Sequence, residues 1–134
     1  MARELENQNV VKALILDGRK ILFLWDPNIE TQDKWEVPGG RKHAGESDED
    51  ALAREVLEEA GIQIKIDRFV ADWQHSLPER GWVLLGKSYL CTPVTKDVKL
   101  EDPEKQHTQF QWVDIDMAKM MDLTPWLARS LDVL

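Results

Sequence analysis

The chain reads as an α+β protein, a mixed β-sheet with helices on both sides. Two β-type runs open it, one uninterrupted helical stretch follows, and the later strands come without a helix between each pair. That order departs from the strict alternation of a doubly wound parallel sheet.

Residues 10–16 and Lys20–Trp25 are rich in aliphatic and aromatic side chains, with Asp17-Gly18-Arg19 between them. Asp-Gly supplies the positive-φ positions of a tight hairpin turn, so these runs are predicted as two antiparallel strands. The polar stretch 26–34, with Pro27 and Asn28, reads as a loop. Trp35-Glu36-Val37 is a short apolar piece ended by Pro38-Gly39-Gly40, a cluster that stops a strand and lets backbone come close to something else. A helix is predicted over Asp48–Ala60, whose interior lacks Gly and Pro. Ser47 can cap its start, Asp50 approximates a capping box, and Gly61 is a natural stop. Residues 62–73 and 81–91 are strand candidates separated by Ser76-Leu77-Pro78-Glu79-Arg80. The charged stretch 92–106 carries Pro93 and Pro103 and reads as a loop, and 107–113 as a strand. Thr124 and Pro125 open a last helix as its cap and first residue. With no repeat, low-complexity tract or linker, residues 1–134 are expected to form one domain.

Composition narrows the function classes. Of 134 residues, 43% are hydrophobic and 31% charged, so a disordered or membrane-embedded chain is not expected. No run approaches the ~20 apolar residues of a membrane helix, and the first residues lack the apolar core of a signal peptide. A cytoplasmic protein that does not engage a membrane is the expectation. Acidic residues outnumber basic ones by 25 to 17, a net charge of −8 that repels nucleic-acid phosphates and argues against a polymer partner. The single cysteine, Cys91, excludes an internal disulfide and reads as a small buried hydrophobe. Neither Gly-x-Gly-x-x-Gly nor Gly-x-x-x-x-Gly-Lys-Ser/Thr occurs, so ordinary dinucleotide and P-loop sites are unsupported.

The helix breaks a local rule. Leu52, Val56 and Ala60, flanked by Ala53 and Leu57, form its apolar face. Glu55, Glu58 and Glu59 fall on a separate stripe at three- and four-residue spacings, where each like-charged pair costs about 0.2–0.5 kcal/mol. They also crowd the negative end of the helix dipole, with only Arg54 at hand to offset them. One explanation is a solvated acidic face; the other is a divalent cation, since clustered carboxylates suit hard ions such as Mg²⁺ or Mn²⁺. The preceding segment, Gly39-Gly40-Arg41-Lys42-His43-Ala44-Gly45-Glu46, brings flexible backbone and positive charge near the carboxylates, which suits a phosphorylated ligand.

Gly40, Glu46 and the run Arg54-Glu55-Val56-Leu57-Glu58-Glu59-Ala60-Gly61-Ile62 together resemble the Nudix box at every defining position. The lead-in Trp35-Glu36-Val37-Pro38-Gly39-Gly40 is similar to the segment that often precedes the box in small MutT-like members. The resemblance implies an α/β/α sandwich and a hydrolase of nucleoside diphosphate-linked substrates. It implies that Glu55, Glu58 and Glu59, with Gly40, surround Mg²⁺ or Mn²⁺, and that Gly39, Gly40 and Arg41 meet the substrate. Catalysis would rest on Glu58 as base, Glu55, and Arg54 orienting a glutamate. Glu46 would support the loop–helix junction or the metal shell, and Gly40 and Gly61 would serve as bend and stop.

One position departs from the family pattern. Many relatives carry a Glu-His pair six residues before a late-strand Trp; here the slot holds Gln106-His107 before Trp112. Glutamine cannot take up a proton at neutral pH, so the helix glutamates act alone, or Glu101 or Glu104 reaches in.

The substrate is less legible. Among six tryptophans, Trp25, Trp73, Trp82, Trp112 and Trp126 read as core or sheet packing, and Trp35 as support for the glycine loop. Pro78 reads as a turn residue, although some ADP-ribose-cleaving members carry a proline there. A small-molecule nucleoside triphosphate, cleaved to the monophosphate and pyrophosphate by a monomer or homodimer, is the favoured expectation. ADP-ribose or a nucleotide sugar is the alternative, and a non-catalytic nucleotide sensor the alternative of another class.

Overall fold

Alternation along the first two strands decides the architecture. Val11, Ala13, Ile15, Leu22 and Leu24 bury into one core, while Val10, Leu14, Ile21 and Phe23 bury into another. Successive strand residues point to opposite faces, so both faces of this sheet must be covered. In the computed structural model, which describes residues 4–27, 34–101 and 107–134, helices cover them.

The strands are β1 (Glu6–Asp17), β2 (Lys20–Trp25), β3 (Trp35–Glu36), β4 (Gly39–Arg41), β5 (Ile64–Leu77), β6 (Trp82–Pro93) and β7 (Gln109–Asp114). The helices are α1 (Asp48–Ala60), α2 (Ile115–Ala118) and α3 (Pro125–Asp132). The strand order is β3-β2-β1-β6-β5, with β4 paired to β1 and β7 to β2. β1 runs parallel to β6 from Glu6↔Trp82 to Ile15↔Cys91, and all other pairings are antiparallel. The expected mixed sheet between helices is therefore the observed fold.

The hairpin forms as predicted, with Gly18 at φ +62° and Asp17 opposite Lys20. Residues 39–41, expected as loop, instead form β4: Val10, Val11 and Lys12 of β1 pair with Arg41, Gly40 and Gly39. Helix α1 packs Ala51, Leu52, Val56 and Ala60 on one core. Leu57, expected to flank that face, is 55% exposed, and Ala53 is exposed too; Ala51 fills the flank. Both ends of α1 match their signals. Ser47 Oγ accepts from Asp50 N at 3.1 Å, and Gly61 at φ +67° donates its N–H to the Leu57 carbonyl. Replacing Ser47 by alanine should cost about 1 kcal/mol, read as a drop of a few degrees in Tm.

On the opposite face, Trp73 stacks on Trp126 of α3 with centroids 4.2 Å apart. Trp73 Nε1 donates to Ser88 Oγ, Ser88 and Ser130 hydroxyls share a bond, and Ser130 donates to the Trp126 carbonyl, each at 3.0 Å. These buried polar groups satisfy one another, as a dry interior requires. Gly86 is needed beneath that stack, because a Cβ there would stand 2.0 Å from the Trp73 ring. Thr124 precedes α3 without a side-chain capping bond, while Pro125 takes the first turn as expected. α2, a single turn capped by Asp114, is not among the predicted elements.

Candidate active site

The β4–α1 connection folds the glycine-rich segment over the start of α1. Lys42 N donates to the Asn9 carbonyl, and Glu46 Oε1 accepts the His43 N–H at 2.8 Å. Arg54 then gathers the acidic groups. Its Nε and Nη2 grip Glu46 at 2.8 and 2.9 Å, Nη1 reaches Glu55 at 3.1 Å and Glu58 at 3.3 Å, and Nη2 also bonds the Arg41 carbonyl. The paired bonds to Glu46 use the planar fork that suits guanidinium to carboxylate.

These bonds set the charge state of the junction. Hydrogen bonds from Arg54 and the His43 N–H hold Glu46 down to about 2, and the same contacts raise Arg54. A carboxyl depressed in the folded state adds stability above its ordinary value of 4.5, lost as pH falls toward 2. A titration followed by NMR should find Glu46 near 2, and higher in Arg54→Met but still below its ordinary value of 4.5, because the His43 N–H remains.

The three helix glutamates differ in environment. Glu58 is half exposed, Glu55 is mostly covered, and Glu59 is buried. Glu55 packs on β4 so closely that a Cβ at Gly40 would stand 2.7 Å from its carboxylate. Gly39 N approaches Glu59 Oε2 at 3.4 Å. Burial pushes Glu59 well above the usual carboxylate range; Lys12 opposes this, and the neighbouring Glu36 and Glu55 add to it. The structure thus brings Gly39, Gly40, Glu55 and Glu59 together, with Arg54 and Glu58 alongside.

Behind this wall lie charges that the sequence reading did not single out. Lys12 Nζ is 3.7 Å from Glu36 Oε2 and 3.4 Å from the Val37 carbonyl. Burial would raise Glu36, but Lys12 and His107 outweigh it and hold the carboxyl below its usual value. Burial would likewise lower Lys12, but Glu36, Glu59, Glu55 and Asp26 hold it above its usual value. The available signal was weak: a lysine interrupting an aliphatic strand and a glutamate between Trp35 and Val37.

The α1 glutamates, Arg54, Gly39, Gly40, Lys12 and Glu36 line one cleft of about 800 Å³, and Arg41, Leu77, Arg80, Trp82 and Leu84 line it too. Trp82, read as core or sheet packing, is in β6 but half-buried, with its ring at the cleft. The Arg41 guanidinium lies 4.5 Å from its ring centroid and that of Arg80 5.6 Å. Neither arginine makes an ion pair among the described residues. Glu101 is exposed and does not line the cleft, while Glu104 and Gln106 lie outside the described residues. Pro78 opens a one-turn 3₁₀ helix, and Cys91 is buried, which lifts its thiol to about 12. No helix among the described residues is long and apolar enough to cross a membrane.

The chain belongs to the NUDIX domain family, whose model matches residues 6–134. It is 28% identical over 116 residues to an RNA pyrophosphohydrolase of Bartonella clarridgeiae, covering 74% of this chain and 67% of that one. It is 29% identical over 115 residues to a Caenorhabditis elegans protein described as nudix hydrolase 1, covering 82% of this chain but only 30% of that longer one. The crystal structure of a MutT protein from Methanosarcina mazei Go1 superposes with a TM-score of 0.81 at 26% identity, over 96% of this chain and 93% of that one.

Proposed function

We propose that this chain is a divalent-metal-dependent, MutT-like pyrophosphohydrolase that cleaves a nucleoside triphosphate to the monophosphate and pyrophosphate. One observation carries the reading: a single cleft is lined both by clustered carboxylates and by two arginines converging on one indole. The carboxylate cluster fits a hard cation, for Glu55 and Glu59, one helical turn apart, both reach β4 at Gly40 and Gly39 and offer oxygen ligands only. Glu55, Glu58 and Glu59, with the backbone of Gly40, would hold Mg²⁺ or Mn²⁺. When bound, such an ion neutralises the diphosphate and makes its phosphorus accessible to attack.

The chain's own residues do the rest. Glu58, half in solvent, accepts the proton of the attacking water as its oxygen bonds to phosphorus and the bridging P–O bond breaks. Arg54 fixes the Glu55 and Glu58 carboxylates and is itself fixed by Glu46. Gly39 and Gly40 let phosphate oxygens approach the backbone. In the same cleft, Arg41 and Arg80 add positive charge that no ion pair among the described residues offsets, on a chain of net charge −8, where a polyphosphate gains most from it. Trp82 holds both guanidiniums at the cleft, and a base stacking on this assembly would gain about 1–3 kcal/mol.

A substrate panel with Mg²⁺ tests this. Pyrophosphate and a nucleoside monophosphate are expected from triphosphates, with Trp82→Ala raising KM about tenfold and leaving kcat within threefold. Faster turnover of ADP-ribose or a nucleotide sugar would replace the substrate assignment. Saturable nucleotide binding without product would replace catalysis with sensing.

A further inference from the structure

His107 precedes β7 and is carried into the protein interior, where its side chain is 1% exposed. One ring nitrogen, Nε2, is hydrogen-bonded to Glu36 Oε1. Glu36 in turn lies beside Lys12, so the ring's anchor is itself held by a buried ion pair. The second ring nitrogen, Nδ1, has no hydrogen-bond partner among the described residues and faces Glu59 Oε2 at 3.7 Å. Folded proteins leave few buried polar atoms unpaired, so a nitrogen left open toward one particular carboxylate calls for an explanation.

We propose that His107 is a positioning residue for Glu59. The bond to Glu36 fixes the plane of the imidazole, and the fixed plane presents Nδ1 to a single oxygen of Glu59. Gly39 N approaches the same oxygen at 3.4 Å. Both contacts fall on Oε2. Lys12, Glu36 and His107 thus form a rigid support that sets the direction of one carboxylate in the cleft wall. The role rests on the assignment of Glu59 to the metal site. Neighbours that orient a ligating side chain in this way typically change metal affinity 10- to 100-fold when removed.

Mn²⁺ binding to the nucleotide-free protein, followed by electron paramagnetic resonance, separates the two ideas. Glu59→Gln should weaken binding at least tenfold. His107→Gln places an amide near the Nε2 position, keeps the Glu36 contact, and leaves nothing at Nδ1; it should weaken Mn²⁺ about tenfold while Tm moves only a few degrees. Wild-type affinity in Glu59→Gln would overturn the metal assignment and the positioning role with it. Weakened binding in Glu59→Gln with wild-type affinity in His107→Gln would keep the assignment and overturn the positioning role alone. Should His107→Gln not fold, the native protein still decides. The ¹⁵Nδ1 resonance of His107 should shift as Mg²⁺ saturates the site while His75 stays still; an unmoved His107 resonance at saturation would overturn the role.

Discussion

Replacing Glu58 by glutamine is expected to lower kcat about 10²- to 10⁴-fold while Tm stays within a degree or two. The size follows from the role: a positioned base that takes the proton of the attacking water contributes that much. The unchanged stability follows from the surroundings. Glu58 is half exposed, and its contact with Arg54 is a 3.3 Å ion pair one turn away, a type worth only about 0.3–0.5 kcal/mol. Glutamine keeps the length and a hydrogen-bonding oxygen while removing the basicity. Single-turnover kinetics beside a thermal melt measure both quantities. A kcat within threefold of wild type would move the base elsewhere.

Gly39→Ala is expected to remove about 3 kcal/mol of stability or more, measured by urea unfolding. Gly39 has φ +145°, a conformation that L side chains rarely adopt. Its Cβ would stand 2.1 Å from the Val11 carbonyl oxygen and 2.8 Å from the Lys12 Cα, both backbone atoms of the strand it pairs with. Neither can yield without parting β4 from β1. Gly45→Ala is the control, since φ is +78° there but a Cβ would meet nothing within 4 Å. It should cost only the left-handed penalty of about 1–2 kcal/mol. Because β4 carries Gly40 against Glu55, loss of the β1–β4 pairing should also abolish metal-dependent turnover.

What the sequence disclosed was local. The hairpin turn at Gly18, the Ser47 cap and the Gly61 stop each depend on residues within one or two turns, and each stands where expected. The spacing of Arg54, Glu55, Glu58 and Glu59 likewise fixed the carboxylate stripe before any tertiary contact was known. What it concealed depends on distant partners. Gly39-Gly40-Arg41 has no β propensity, and its strand pairing is imposed by β1 across the sheet. Lys12, Glu36 and His107 come from three separated segments, so nothing short-range marks them as one buried group. Trp82 begins a strand like a core residue; its place on the cleft wall depends on Arg41, some forty residues earlier, meeting its ring. Glu59 belongs to the acidic stripe by spacing, yet the fold of β4 over α1 buries it and leaves Glu58 half in solvent.

In the proposed mechanism the glutamates of α1 grip a substrate's diphosphate through a divalent cation. A crystal grown with saturating Mg²⁺ and a nonhydrolysable nucleoside triphosphate tests it most directly. Ion density in contact with Glu55, Glu58 and Glu59 and with two phosphate groups is the predicted result. A fully occupied nucleotide with no ion beside those three carboxylates would contradict it.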